Sequence, residues 1–191
     1  PGATAPYGAV QLSPDTRKGN WDACSGYHYS DSTLMGFSHT HLSGTGCIDL
    51  GDILFRPSLQ TPLAFSHSDE KASPGYYSVN LREAGVLAEL TTTPHVGIHR
   101  YTYKKGIEST LVVDMDHLLD NEYIYEGWVK QTGENELTGM RRTRGWVDNQ
   151  YVFFVAQFSQ PFSSMEQPSE RQAVLTFDTT TGKPIVCKVG V

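Results

Sequence analysis

The part of this chain densest in reactive side chains runs from Gly36 through Phe37, Ser38, His39, Thr40, His41, Leu42, Ser43, Gly44 and Thr45 to Gly46. A hydroxyl or a neutral imidazole can both donate and accept a hydrogen bond. Glycine lets the backbone turn through positive φ or approach a ligand closely. Such a stretch suits a loop lining a polar cleft. It suits equally a turn-rich connection whose Ser and Thr hydroxyls satisfy their own backbone, and composition leaves the two readings level. His39 and His41 stand two apart, so on an extended segment both rings face one side. With Asp49 and Asp52 downstream they carry the ligand types of a zinc site. So short a spacing arises readily by chance, and hydrogen bonding is the better-supported role.

The other constellations are weaker. Asp49, Asp52, Asp69, Glu70, Asp114 and Asp116 offer near pairs of carboxylates. Inverting glycoside hydrolysis needs an acid and a base roughly 6.5–9.5 Å apart, a distance that spacing along a chain does not establish. Asp114 and Asp116 close an apolar run and read better as a solvated or capping face. Ser38, Ser43, Cys24 and Cys47 lie near histidines, but no Gly-x-Ser-x-Gly elbow presents either serine. Arg141, Arg142 and Arg144 beside Trp146 make a local basic patch, best read as cover for an edge strand or an interdomain face. Trp21, Tyr27 and Tyr29 are interleaved in a polar loop over residues 16–32. There they either stack on the apolar face of a sugar or pin the loop to a sheet, and pinning is the simpler reading for any one ring.

The elements that must position these groups read as strands. Residues 8–13 alternate apolar and polar side chains and stop at Pro14 and Asp15; 52–56 is a short strand closed by Pro57. Further runs at 76–81, 86–92, 96–103, 109–115, 122–130, 136–142, 151–158, 173–177 and 185–189 are rich in β-branched or aromatic residues and separated by Gly, Pro or charged residues. Thr179 to Gly182 reads as a hairpin turn between the last two. Only 117–121 hints at helix, and it is too short to matter. Many short strands at spacings of roughly 8–12 residues, with no repeat or linker, predict a single all-β domain.

A chain of 191 residues is long enough to bury roughly 70 % of its unfolded surface. With 38 % hydrophobic and 19 % charged residues it lies in the globular range. The net charge of −6 argues against a nucleic-acid partner, because phosphates demand a concentrated basic face. No apolar run approaches the roughly 20 residues of a membrane helix. Cys24, Cys47 and Cys187 are too few for a disulfide scaffold. A Cys24–Cys47 bridge stays open in an oxidising compartment, with buried free thiols the simpler reading.

Residues 26–52 as a block, together with 1–8, 10–16, 70–77, 88–93, His99-Arg100-Tyr101 and Arg142-Thr143-Arg144-Gly145-Trp146, resemble the N-terminal domain of glycoside hydrolase family 92, the calcium-dependent exo-acting α-mannosidases. The blocks fall in family order and span nearly the whole chain. The resemblance implies a large antiparallel β-sandwich of the supersandwich, galactose-mutarotase-like kind, packed on a C-terminal (α/α)6 barrel that holds the general acid, the general base and the calcium ligands. On that reading residues 1–191 are the N-terminal sandwich, incomplete at its N-terminal edge, and the catalytic barrel is absent from this chain.

The same resemblance implies hydrolysis of terminal α-linked mannose from glycans with inversion, calcium in the other domain and not here, and a periplasmic, secreted or cell-surface location. Neither a nucleic acid nor a membrane span is implied. By matching motif positions, the candidates at the rim of the mannose pocket are Trp21, Tyr27, His39, His41, Ser43, Gly46, Cys47 and Asp49, with no catalytic residue among them. The aromatics would stack on sugar faces, while the histidines and the Ser43 hydroxyl would bond mannose hydroxyls. Docking on the barrel also implies an exposed aromatic or apolar patch near residues 26–52. Two alternatives remain: a stand-alone carbohydrate-binding module, and a structural sandwich whose loop only packs on a partner.

Overall fold

Along Gln150–Phe158, Val152, Phe154, Ala156 and Phe158 are buried while Tyr151, Phe153 and Val155 face outward. That period of two is what a strand with one face on a core requires. Repeated along the chain it builds the whole protein. The computed structural model describes every residue except Pro1, Asn20, Cys24 and Asn121. Among the described residues there are seventeen strands, numbered here in chain order, all paired antiparallel, and two short 3-10 turns at Trp21–Ala23 and His67–Asp69.

A seven-stranded sheet runs β1 (Ala3–Thr4), β2 (Gln11–Asp15), β4 (Gly36–Ser38), β5 (Leu54–Arg56), β11 (Ser109–Asp114), β16 (Gln172–Phe177) and β15 (Ser164–Ser169). An eight-stranded sheet runs β12 (Tyr123–Gly133), β13 (Glu136–Arg144), β14 (Gln150–Phe158), β17 (Ile185–Gly190), β10 (Val96–Tyr103), β9 (Val86–Thr92), β8 (Tyr76–Leu81) and β7 (Glu70–Ser73). β3 (Thr33–Leu34) and β6 (Leu63–Ala64) pair on their own. Leu12, Phe37, Phe55, Leu111 and Leu175 from the first large sheet share one core with Tyr77, Leu90, Tyr101, Leu137, Phe154 and Val189 from the second. This is the antiparallel β-sandwich that the family resemblance implies.

Three expectations change. Pro14 lies inside β2 opposite Phe37 and does not end it. β1 pairs only with Gln11 and Leu12, so beyond them this strand has a single neighbour and a residue without an N–H is tolerated. The turn at Thr179 to Gly182 exists, closed by the Gly182 N–H on the Thr179 carbonyl at 2.8 Å, but it carries the chain from one sheet to the other and joins no hairpin. The hint of helix at 117–121 is not realised, because His117 turns inward to a buried carboxylate; Asn121 lies outside the described residues.

Polar side chains tie the two sheets together through this core. The Tyr101 hydroxyl faces His99 Nδ1 at 2.8 Å, His99 Nε2 faces His39 Nε2 at 3.0 Å, and His39 Nδ1 faces the Ile53 carbonyl at 2.6 Å. Only one proton assignment satisfies every member. The hydroxyl donates to His99, His99 donates to His39, and His39 donates to the carbonyl, with both rings neutral. Gly97 makes room for this chain, since a Cβ there would sit 2.7 Å from His39 Cδ2.

Burial holds His39 down at about 4 and His99 well below its ordinary value. The unfolded chain therefore takes up protons near pH 6.5 that the folded chain refuses until about pH 4. Stability present above that window is lost as the pH falls through it. Relative to a His39→Gln, His99→Gln double variant, the wild-type urea midpoint is expected to drop between about pH 7 and about pH 4.5, and parallel midpoints would contradict neutral burial of the pair.

Candidate functional site

After β4 the chain leaves the sheet, loops out, and returns as β5. His41 bridges Leu50 across the neck of this loop, and Ser43, Gly44 and Thr45 stand exposed at its tip. The neck is strained. Leu50 and Ile53 both adopt left-handed backbone, at φ 76° and 61°, on either side of Gly51 and Asp52. For a β-branched residue that conformation is an outlier, costing on the order of 1–3 kcal/mol, and it persists only where the surroundings over-determine it.

Asp52 and Asp15 supply that determination. Asp52 has no exposed surface. Arg141, equally buried on β13, donates from Nε to its Oδ1 at 2.8 Å, and a second guanidinium nitrogen lies 2.6 Å from the same oxygen. The other carboxylate oxygen accepts from the Thr40 hydroxyl at 2.5 Å and from Gln150 Nε2 at 3.0 Å. The Asp52 N–H donates back to Thr40 Oγ1 at 2.9 Å. Arg141 completes its bonding on the carbonyls of Met115 and His117. Asp15 lies between His41 Nε2 at 2.7 Å and His117 Nε2 at 2.8 Å. Burial alone would push its carboxyl up, but the two histidines outweigh burial and hold it well below the usual carboxylate range.

Ser38, His41 and Asp15 meet without forming a catalytic triad. Ser38 Oγ and Asp15 Oδ1 both lie on His41 Nε2, at 3.0 and 2.7 Å, while Nδ1 donates to the Gln11 carbonyl at 2.7 Å. A triad puts the carboxylate and the hydroxyl on opposite ring nitrogens, and this serine is fully buried. Nor do His39, His41, Asp49 and Asp52 converge on a cation. Among the described residues no three His, Cys, Asp or Glu side chains do.

The sequence-predicted residues divide into those that face out and those that hold the loop from behind. Trp21 is 70 % exposed, and its ring lies 3.6 Å from where a Gly46 side chain would begin. Ser43 is exposed and donates to Gln11 Oε1 at 2.9 Å; Cys47 is half-buried and free, like the buried thiol Cys187. Cys24, the other half of the bridge left open above, lies outside the described residues.

Every ring nitrogen of His39 and His41 has a protein partner. The Tyr27 hydroxyl donates to Glu70 Oε2 at 3.1 Å, beside a cavity of about 140 Å³ lined by Gln11, Ser13, Ser25 and His41. Asp49 is buried, accepting the backbone N–H groups of Leu50 and Trp146. Two exposed tryptophans lie by the loop: the Trp21 ring beside Gly46, and Trp146, whose backbone N–H bonds Asp49.

Arg141 corrects the patch reading. It is a core residue, and β13 is an interior strand between β12 and β14. Arg142 lies 4.8 Å from the Tyr125 ring and 5.3 Å from the Tyr151 ring, and donates to Asn149; Arg144 reaches Asp148. The remaining acids are held too. Asp69 accepts from Arg82, Asp116 from Arg171, and Glu70 from Tyr27 and Tyr77. Sequence reasoning missed His99, His117, Gln150 and Glu122, whose partners lie far along the chain.

An antiparallel sandwich that props an exposed, glycine-rich hydroxyl loop on buried ion pairs takes its place among the β-sandwich domains of glycoside hydrolases. This chain belongs to the glycosyl hydrolase family 92 N-terminal domain family, whose model matches residues 1–191. It superposes on the family GH92 α-mannosidase BT3965 from Bacteroides thetaiotaomicron, in complex with mannoimidazole, with a TM-score of 0.90 and 33 % identity, covering 100 % of this chain and 30 % of that one. Against the GH92 family glycosyl hydrolase ccman5 the TM-score is 0.79 at 27 % identity, over 99 % of this chain and 30 % of that one. An uncharacterised secreted glycosidase of Arthroderma benhamiae is 28 % identical over 142 residues, which is 63 % of this chain and 18 % of that protein. The chain thus spans less than a third of the length of these relatives.

Arg141→Met should cost about 3–5 kcal/mol, because it leaves Asp52 buried and uncompensated. Removing both charges with Asp52→Leu should recover part of that loss. Denaturant unfolding of the single and double variants measures it. A loss below about 1 kcal/mol for Arg141→Met, the scale of an exposed pair, would contradict the role given to this contact.

Proposed function

We propose that this chain is the non-catalytic N-terminal sandwich of a periplasmic or secreted exo-acting α-mannosidase, which removes terminal α-linked mannose from glycans with inversion. The observation that carries this reading is the likeness, over the whole chain, to part of an α-mannosidase bound to mannoimidazole. In this proposal the loop at residues 43–49 and the Trp21 ring form part of the rim of the mannose pocket. Trp21 offers an apolar face to the sugar ring, and Ser43 with the backbone at Gly46 and Cys47 offers hydrogen bonds. His39, His41, Asp49 and Tyr27 act from behind, fixing the position of that rim through contacts made inside the sandwich.

The acid, the base and calcium are assigned to polypeptide outside these residues. The carboxylates of Asp15 and Asp52 are taken up by His and Arg partners, and the described residues supply no three-ligand cluster of the kind a calcium ion needs. These side chains do not fit the ion. The catalytic helical domain is proposed to cover the exposed aromatic surface of Trp146, Tyr123, Tyr125, Tyr151 and Phe153. Interfaces between domains of one chain typically bury roughly 600–1,500 Å².

The isolated 191-residue chain is expected to show no turnover of an aryl α-mannoside, with or without calcium; turnover would overturn the assignment of catalysis elsewhere. In a polypeptide that includes the helical domain, Trp21→Ala should lower kcat/KM about threefold to tenfold while leaving the melting temperature unchanged, as loss of one aromatic contact predicts. His41→Ala should instead lower the melting temperature, since it takes from the buried Asp15 one of its two histidine partners. Unchanged kinetics in the Trp21 variant would remove that ring from the pocket. Mannoside binding by the isolated chain would favour a binding-module reading.

A further inference from the structure

The loop is also fastened to the eight-stranded sheet at Asp49, where a second acid, Glu122, lies close by. Asp49 is buried, its Oδ1 accepting the Leu50 N–H at 2.7 Å and its Oδ2 accepting the Trp146 N–H. Gly145 is the point of closest approach. A Cβ there would stand 2.6 Å from Asp49 Oδ1 and 2.9 Å from Glu122 Cγ, so this glycine lets two acids close on each other. Glu122 Oε2 accepts the Asp120 N–H at 3.0 Å, whereas Oε1 is buried and meets no donor among the described residues. The acid that Gly145 brings beside it is Asp49, both of whose carboxylate oxygens lie within 2.8 Å of the same Cβ position. Two ionised carboxylates offer each other acceptors only, and a buried acceptor without a donor is costly. One proton between them resolves both problems.

We propose that Asp49 and Glu122 form a proton-sharing carboxyl pair that clamps the loop at residues 43–50 to the turn at Gly145 and Trp146, and that loss of the proton loosens the clamp. No arginine of the adjoining strand neutralises the pair: Arg141, Arg142 and Arg144 are committed to Asp52, Asn149 and Asp148. Burial first, and Asp49 second, push the Glu122 carboxyl up to about 7. Because this value is raised from 4.5, the stabilisation is fully present at acid pH and is lost as the pH rises through about 7. That is opposite in sign to the histidine effect described above. The clamp does not depend on the proposed mannose rim; only its consequence for activity rests on that reading.

Glu122→Gln keeps the shape and supplies an N–H donor to Asp49 at every pH. Melting temperatures of wild type and variant are compared from about pH 5 to about pH 8, with hydrogen exchange of the Trp146 amide. The wild type should fall relative to the variant by a few degrees over that range. Its Trp146 amide should also lose roughly tenfold in protection, after correction for intrinsic exchange, while the variant's does not. Parallel profiles would overturn the clamp. Should the variant fail to fold, the carboxyl carbon resonance of Glu122 in the wild type decides: a midpoint near 7 supports the pair and one near 4.5 overturns it. A confirmed clamp whose loosening leaves the pH profile of mannoside hydrolysis unmoved would count against the rim assignment and not against the clamp.

Discussion

Asp52 carries a carboxylate with no contact to solvent, and the guanidinium of Arg141 is what makes that position tolerable. Asp52 lies in the loop just before β5 of one sheet, Arg141 lies on β13 of the other, and both are almost completely buried. A charge so placed is strongly unfavourable alone, so the pair forms only if the sheets arrive in one relative arrangement. Thr40 and Gln150 use up the second oxygen of Asp52, which fixes the neck of the loop between β4 and β5. The left-handed backbone of Leu50 and Ile53 survives there because the contacts around Asp52 leave the chain no easier course.

The same logic recurs twice across the core. Asp15 joins β2 to the loop through His41, and to the segment after β11 through His117. The line from Tyr101 through His99 and His39 to the Ile53 carbonyl crosses from one sheet to the other with every donor and acceptor used once. Apolar packing between sheets would tolerate small slips, since dispersion and burial have little direction. Hydrogen-bonded charges would not. The polar layer thus converts a greasy interface into a registered one, and the loop inherits that rigidity. Its tip stays in solvent while its base is held on both sides, an arrangement that would keep the ordering cost of the proposed rim low.

Outside the core, the eight-stranded sheet treats its two ends differently. The free edge of β12 is partly closed by the other sheet: the Val129 N–H donates to the Glu170 carbonyl, and Gln167 Nε2 donates to the Val129 carbonyl. That protects a long edge strand from pairing with another chain. The outer face beside it carries Tyr125, Tyr151 and Phe153, with Arg142 lying against two of the rings. Solvent-facing aromatics on that scale mark a surface that soluble proteins normally cover.

Much of the architecture was legible along the chain, because a strand advertises itself locally. Tyr76–Leu81, Val86–Thr92 and Val96–Tyr103 fall where the runs of β-branched and aromatic residues place them, since the period of two and the turn residues between are short-range signals. β7, β15 and the short strands β1, β3, β4 and β6 escaped, being mostly polar or only a few residues long, whereas β5 falls within the strand expected at 52–56. The residues at 36–52 likewise announced themselves by composition. What composition did not determine is which way each side chain turns. His39 and His41, two apart, end on unrelated partners, and Arg141, grouped by sequence with Arg142 and Arg144, is the only one of the three in the core. Those choices rest on His99, Asp15, His117 and Asp52, which lie up to 102 residues away from the groups they bind. A buried polar group takes whatever complementary group the packed sheets bring to it, and that is decided only when the two sheets close.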